Sequence, residues 1–278
     1  MRQLRSITAM RRWRADLSEN VVVVPTMGAL HHGHAALIRK ARKIAGPTGS
    51  VCVTIFVNPT QFGPKEDFSA YPRPEAKDLA LCGDEGVDAV FLPRVGEIYR
   101  PDASVTLQES ALSNTLCGKS RPGHFSGVLT IVAKLLMITL PTHAVFGEKD
   151  WQQLALIRRM IRDLDIPVEI VGVPTVREKD GLAASSRNAY LTPAERANAP
   201  RLHEALKAAA SLRTMPAVLR AASKAIASIP GTRIDYIEAV DASTLAPLRN
   251  RKTKGRLAAA VFLGKARLID NIPLPVLR

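Results

Sequence analysis

An α/β fold in two parts is predicted for this chain: a larger part on a mostly parallel sheet, then a smaller α+β part. Three observations predict it. Short apolar runs alternate with helical patterns through the first 173 residues, the mark of strand–helix–strand crossovers. The alternation stops after Pro174, where helical stretches come first and strands follow. The length of 278 residues is also more than one hydrophobic core comfortably serves.

Val21–Val24 is a β-branched run ended by Pro25 and reads as a strand buried on both faces. A helical pattern follows from about His34 to Ala45. Val51–Val57 is a second strand, closed by Asn58-Pro59. Leu79–Cys82 lies on a helix, Ala89–Leu92 is a short strand, and Gly127–Leu140 is a long apolar helix stopped by Pro141. His143–Phe146 and Val168–Val173 are strands on either side of a helix over Trp151–Leu164. This order implies a Rossmann-like, mostly parallel sheet with helices on both faces. Beyond Pro174, Thr192 caps a helix starting at Pro193, with Glu195 at its third position. The Ala-rich pattern continues to about Ala210, and Met215–Ile229 is another helix. Asp235–Val240 and Leu257–Leu263 are strands, with Arg267–Ile269 as a third. The boundary near Val173–Thr175 gives domains over residues 1–173 and 174–278.

Composition narrows the function classes. The three Cys, at 52, 82 and 117, have no C-x-x-C spacing. This gives no signal for a zinc site or a redox dithiol and suits a reducing compartment. No apolar run reaches the roughly 18–20 residues of a membrane span. The basic start, Met1 to Arg14, is not followed by an apolar core and a small-residue cleavage site, so a cytoplasmic location is expected. The formal charge of +14 is concentrated late: residues 174–278 hold 18 of the 39 Lys and Arg but only 8 of the 25 Asp and Glu. An RNA-binding protein is one reading of that excess. A solvated basic surface with a polyphosphate site is the other. The densest run, Arg249 to Arg256, lacks the interleaved aromatics on which single strands stack, so no nucleic-acid partner is expected.

Five segments carry chemistry. Pro25-Thr26-Met27-Gly28-Ala29-Leu30-His31-His32-Gly33-His34 follows a buried strand and opens a helix. That places backbone N–H groups and the positive helix end where phosphate binds. Gly28 and Gly33 are expected to let a nucleotide approach the backbone. His31 and His34, three apart, share a face and suit donation to phosphoryl oxygens, while His32 points elsewhere. There is no G-x-x-x-x-G-K-[ST] and no G-x-G-x-x-G after the first strand, so neither a P-loop nor a dinucleotide site is expected. Asn58-Pro59-Thr60-Gln61-Phe62-Gly63 offers two amides able to read a hydroxyl and a carboxylate. Arg121-Pro122-Gly123-His124-Phe125 offers Arg121 as a carboxylate or phosphate partner. In Phe146-Gly147-Glu148-Lys149-Asp150-Trp151-Gln152-Gln153, Lys149 is a mobile point charge for phosphates, Asp150 an acceptor for ribose hydroxyls, and Gln153 a partner for an acid substrate. Ala184-Ser185-Ser186-Arg187-Asn188 places hydroxyls before an Arg, which suits a triphosphate clamp.

Together and in this order, the five segments resemble the pantothenate synthetase family. The resemblance runs on through Asp235-Tyr236-Ile237-Glu238 to Arg267-Leu268-Ile269-Asp270-Asn271. H-x-G-H alone points only to the wider nucleotidyltransferase superfamily that includes class I aminoacyl-tRNA synthetases; N-P-x-Q-F, R-P-G-H-F and G-E-K-D-x-Q-Q narrow it.

The resemblance implies ATP-dependent condensation of (R)-pantoate with β-alanine through a pantoyl-adenylate, releasing AMP and pyrophosphate, with Mg2+ on the nucleotide. It implies that Met27, Gly28, Ala29, Leu30, His31, His32, Gly33 and His34 line the ATP site, with His34 and His31 catalytic. Gly147, Glu148, Lys149 and Asp150 would also bind ATP, Lys149 with a catalytic role, and Val176, Ala184, Ser185, Ser186 and Arg187 would complete the site. Gln61, with Asn58 nearby, would contact pantoate and the β-alanine region, Gln153 pantoate, and Arg121 the substrate region. It further implies a homodimer and a C-terminal domain that closes over the nucleotide. The family usually has Met or Leu where this chain has Ala184, which leaves a smaller side chain beside the nucleotide. The competing readings are another adenylyl-transferring enzyme of the H-x-G-H superfamily, told apart by pantoate-dependent pyrophosphate release, and the RNA-binding protein.

Overall fold

The computed structural model describes residues 1–17, 20–63 and 68–277. The chain divides into two compact units. The first comprises Met1–Glu109, Arg121–Glu148 and Leu156–Pro174; the second comprises Ser110–Ser120, Lys149–Ala155 and Thr175–Arg278. One edge of this division lies at Pro174. The short stretches 110–120 and 149–155 group with the later residues, although the sequence pattern assigns them to the earlier part. The cause is side-chain bonding. Trp151 Nε1 donates to the carbonyl of Ala242 at 3.0 Å, and the Gln152 amide holds Leu112, Thr115 and Cys117.

The first unit is a six-stranded parallel sheet in the order β1-β4-β3-β2-β5-β6. The strands are β1 (Arg2–Leu4), β2 (Val21–Thr26), β3 (Ser50–Ile55), β4 (Ala89–Phe91), β5 (His143–Gly147) and β6 (Glu169–Val173). Successive side chains of a strand face opposite sides. Val21, Val22, Val23 and Val24 all have no exposed surface, so β2 is covered on both faces. Helices α1 (Ile7–Ala15), α2 (His32–Ala45), α3 (Glu75–Asp84), α4 (Val95–Ile98), α6 (His124–Thr139) and much of α7 (Trp151–Asp163) belong to this unit. From β2 the chain passes to β3 on one side, and β5 lies on the other. The carboxyl end of β2 is therefore a topological switch point, where open α/β sheets bind ligands.

The second unit carries the antiparallel sheet β7 (Thr232–Asp241), β8 (Gly255–Leu263) and β9 (Ala266–Leu274), with β8 central. Helices α8 (Pro193–Asn198), α9 (Arg201–Ala210) and α10 (Met215–Ala227) follow the start of the unit, and α5 (Leu116–Ser120) joins it from the earlier insertion. Leu202, Leu206, Val218, Ile226, Leu257 and Val261 share its core.

The Thr192–Glu195 capping box forms as expected. The helical run it opens is broken, however, because Pro200 divides α8 from α9. The apolar helix expected from Gly127 starts earlier, at His124, behind Gly123 in the left-handed region (φ 81°). β1 and α1 are elements the sequence pattern does not announce. β1 is three residues with one buried side chain, and α1 is a polar helix capped by Ser6 with only Met10 buried. Among the described residues no helix is long and apolar enough to cross a membrane.

Candidate active site

The loop after β2 is held from several directions. The Thr26 hydroxyl donates to the carbonyl of Thr54 at 2.7 Å and accepts from the Gly28 N–H at 3.2 Å. Gly28 (φ 82°) and Ala29 (φ 49°) are both left-handed, a conformation that glycine tolerates best. Asp78, on α3, receives the N–H of Ala29 at 2.9 Å and of Leu30 at 2.7 Å. A Cβ at Gly28 would lie 2.9 Å from Asp78 Oδ2 and 3.1 Å from Ile55 Cγ2. The space on the Cβ side of Gly28 is taken by a carboxylate, so the loop needs glycine there for its own packing as well as for its positive φ. Asp78 is 1% exposed. Burial pushes its carboxyl up from 3.8, and the two N–H donors pull it back. No local signal marks Asp78 in the sequence; it is an acidic residue in the first turn of a helix, which helix-end charge alone accounts for.

At the start of α2, His31 and His34 cap the helix with their imidazoles. Nδ1 of His31 accepts from the Gly33 N–H at 3.1 Å, and Nδ1 of His34 accepts from the His31 N–H at 3.2 Å. This is a capping box in which two imidazoles take the roles usually played by a hydroxyl and a carboxylate. An accepting Nδ1 carries no proton, so each neutral ring is fixed as the Nε2–H tautomer. The ring centroids are 4.2 Å apart, as their shared face requires. His32 is exposed. The helix end thus gathers the positive end of a 14-residue helix and two ring donors.

The loop after β3 turns on Asn58, which is 1% exposed. Its Nδ2 donates to Gln61 Oε1 and to the Gly127 carbonyl, both at 3.1 Å. Its Oδ1 accepts from the Thr60 hydroxyl at 3.0 Å and the Tyr99 hydroxyl at 2.8 Å. The amide makes four bonds inside the protein, one of which orients Gln61. Gln61 Nε2 lies 2.8 Å from the sulfur of Met27. The Gln61 carbonyl accepts from His124 Nδ1 at 2.8 Å and from Arg121 at 3.3 Å, and Arg121 also meets His124 Nε2 at 2.9 Å. Arg121 is therefore half-buried and engaged at the N-terminus of α6. A Cβ at Gly127 would collide with the Thr60 main chain, so α6 reaches this loop only because residue 127 is glycine. Sequence reasoning does not single out Tyr99 or His124 as site residues; only the fold brings Tyr99 to Asn58.

Gly147 and Glu148 end the first unit's stretch, and Lys149 begins the next. Lys149 Nζ donates to the carbonyl of Ala184 at 3.0 Å. Burial holds the ammonium below its ordinary 10.5; Asp150 and Asp270 oppose this, while Arg187 and Arg177 add to it. Ser185 caps the turn Ser186–Tyr190, its hydroxyl accepting from the Arg187 N–H at 3.2 Å. Ala184 is buried, and its N–H bonds the carbonyl of Val176 at 2.9 Å. The second unit therefore brings Lys149, Val176 and Ala184–Arg187 together. Asp150 is exposed and Gln153 half-buried, whereas Gln152 is buried. In the basic run Arg249–Arg256, one arginine is buried and another half-buried. Arg251 caps main-chain carbonyls of Ala210, Leu212 and Pro275, and Arg256 lies 3.6 Å over the Trp151 ring.

The family model described as pantoate–β-alanine ligase matches residues 2–273. The chain is 52% identical to the pantothenate synthetase of Akkermansia muciniphila over 260 residues, covering 92% of each chain. It is 48% identical to that of Moorella thermoacetica, covering 99% of each. The crystal structure of pantothenate synthetase from Thermus thermophilus superposes with a TM-score of 0.92 at 45% identity, over 99% of this chain and 100% of that one. The Francisella tularensis pantoate–β-alanine ligase, complexed with Beta-gamma ATP and β-alanine, gives 0.82 at 36% identity, over 98% and 97%.

Proposed function

This chain belongs to the pantoate–β-alanine ligase family and joins pantoate to β-alanine at the expense of ATP, and we propose that it does so through a pantoyl-adenylate formed at the His31–His34 helix end. The observation that carries this reading is the imidazole capping box. It fixes both rings as Nε2–H donors beside the positive end of α2, at the switch point of the sheet. Donors set in place before the reaction stabilise charge that builds on phosphoryl oxygens without reorganising.

A carboxylate acylates an amine poorly, because its leaving group would be oxide. In the first step a pantoate carboxylate oxygen attacks the α-phosphorus, the bond to the bridging oxygen breaks, and pyrophosphate leaves. In the second, the β-alanine amine attacks the acyl carbon, the C–O bond to AMP breaks, and the amine gives up a proton. No protein nucleophile is required. Burial pushes the thiols of Cys52 and Cys82 up to about 12, which fits that route, since a buried thiol is a poor nucleophile.

The roles follow from the two sets of residues. His34 and His31, with the main chain of Met27 to Gly33, would receive the phosphates that react. Lys149, Ser185, Ser186 and Arg187, with Val176 and Ala184, are assigned to nucleotide binding, as are Gly147, Glu148 and Asp150. Gln61, set by Asn58, and Gln153 would bind pantoate, with Arg121 fixing the Gln61 main chain. Among the described residues no three His, Cys, Asp or Glu side chains gather as metal ligands. ATP would enter as its Mg2+ complex, with the ion resting mainly on the phosphates and water. Three free, buried cysteines suit a reducing cytoplasm, and the family reading carries a homodimer, which sizing would test.

Rapid quench with ATP, pantoate and Mg2+ but no β-alanine tests the order. A burst of pyrophosphate and enzyme-bound pantoyl-adenylate is expected. Pyrophosphate that appears only once β-alanine is added would sink the two-step route.

A further inference from the structure

We propose that Asn271, on β9, is a positioning residue for Lys149, and that its neighbour Asp270 anchors the other end of the same lysine through Arg177. This rests on the reading that Lys149 meets the triphosphate.

A lysine ammonium sits on a flexible four-carbon stem, so its charge is well placed only if both the main chain and the tip are held. The main chain is held by Asn271, whose Nδ2 donates to the Lys149 carbonyl at 3.0 Å. The amide cannot flip without loss, because its Oδ1 accepts from Arg256 at 3.1 Å. Arg256 in turn lies on the Trp151 ring, and Trp151 is tied to the Ala242 carbonyl.

The tip is held by the Ala184 carbonyl. Ala184 ends a small hairpin closed by Glu178 N–H to the Leu182 carbonyl at 2.8 Å and Ala184 N–H to the Val176 carbonyl at 2.9 Å. Arg177 braces the hairpin from within, donating to Gly181 at 3.1 Å and to both Asp270 oxygens at 2.7 and 2.9 Å. The Asp270 side chain is only 2% exposed. Consecutive residues of a strand face opposite sides. Asp270 and Asn271 thus hold two separate segments, and Lys149 joins them. Lys149, Ser185, Asn188, His203 and Asp270 line one small cavity in this unit.

Asn271→Asp keeps the acceptor for Arg256 and replaces the donor to Lys149 with a carboxylate oxygen. Single-turnover pyrophosphate formation from ATP and pantoate should slow roughly tenfold, the scale of a modest misplacement of a reacting group. KM for pantoate should stay near wild type, whereas the melting temperature should fall, because the new carboxylate oxygen faces the Lys149 carbonyl in a buried site. In a Lys149→Ala background the same change should slow the step no further. Arg177→Lys, which keeps the buried charge but loses the two-pronged bond, should behave likewise with a smaller loss. An unslowed Asn271→Asp enzyme, or slowing that multiplies with Lys149→Ala, overturns the proposal. Lys149→Ala alone at full rate would instead overturn the assignment of Lys149 to the triphosphate.

Discussion

The two regions that carry the site residues are held in contrasting ways. In the first unit the loop from Met27 to His34 is fixed by bonds of two or three residues' reach: Gly28 to Thr26, Gly33 to His31, and His31 to His34. Longer-range support comes from Asp78, from the Gln61 amide at the Met27 sulfur and from the Thr54 carbonyl at the Thr26 hydroxyl. In the second unit Lys149 is fixed by bonds spanning 35 and 122 residues, and the hairpin it leans on by one spanning 93. Both regions present cations or donors suited to phosphate. The first forms them with its own helix cap, whereas the second has them only once the sheet and hairpin are complete. A local cap forms with its helix, so its geometry is insulated from changes elsewhere. A tertiary brace transmits a change at any of its members to the lysine.

The sharpest way to break this contrast is at His34. His34→Ala should lose roughly 10²–10³-fold in pantoyl-adenylate formation, the usual cost of removing one preorganised transition-state donor. His34→Gln separates capping from chemistry. Gln at the third helical position still accepts from the residue-31 N–H, so this variant should melt like wild type and still be slow in single-turnover pyrophosphate release. Full activity in His34→Gln would reduce His34 to a cap.

Next in size is Lys149→Ala, expected to slow pyrophosphate formation roughly 10²-fold, a step that develops charge on the phosphates it would meet. The reaction of preformed pantoyl-adenylate with β-alanine should change much less, because the triphosphate is present only before pyrophosphate leaves. A variant that forms adenylate normally and fails only with β-alanine would contradict the placement.

The same contrast explains what the sequence discloses. The strand Val21–Val24, the H-x-G-H helix start and the Thr192–Glu195 box are visible because their causes lie within a few residues: burial on both faces, a capping pattern, a Pro at the first turn. The parallel sheet follows from their alternation. Asp78, Tyr99 and the Asp270–Arg177 pair are not visible, because each is an ordinary polar residue until the fold brings a distant main chain to it. Asn58 shows the limit from the other side. A polar residue at a strand end looks like a substrate reader, yet its amide also bonds Gln61, Gly127, Thr60 and Tyr99. The grouping of Lys149–Ala155 with the second unit is hidden for the same reason, since it depends on what Trp151 and Gln152 find across the chain.

Asp78 is the long-range partner of the Ala29 and Leu30 main chain, so Asp78→Asn tests how far caps alone suffice. An amide can accept from one of the two N–H groups of Ala29 and Leu30 but sets its own N–H against the other. The unmet buried donor should cost about 1–3 kcal/mol of stability, and adenylate formation should fall by roughly tenfold through the shifted loop. The pH dependence has a definite sign. Because burial raises the folded carboxyl above 3.8, the native state takes up this proton before the unfolded chain does. Stability from this group therefore grows as pH falls through the folded value and is complete below 3.8. Denaturant titrations should show wild type gaining on Asp78→Asn as pH is lowered through that window; a difference independent of pH would place the Asp78 proton elsewhere.

The smallest expected effect concerns the stability of the free enzyme. Burial holds the Lys149 ammonium below 10.5, with Arg187 adding to the effect, so the folded state binds this proton less readily than the unfolded chain. Well above pH 10.5 the group is neutral in both states and costs nothing. As pH falls below 10.5 the unfolded chain is protonated first, and the native state loses ground until the folded value is passed. Lys149→Met has no proton to bind and escapes that loss. It also gives up the bond to the Ala184 carbonyl, a cost of about 1 kcal/mol that does not vary with pH. The stability of Lys149→Met relative to wild type should therefore be greatest below the folded value and decline as pH rises from there to 10.5, where it levels off. Melting temperatures of the two proteins from pH 7 upward measure this directly. A gap that widens in favour of the variant at high pH would mean that Lys149 is stabilised as a cation in the free enzyme, and that the brace built by Asn271 and Ala184 holds a charge the fold has already compensated rather than one waiting for phosphate.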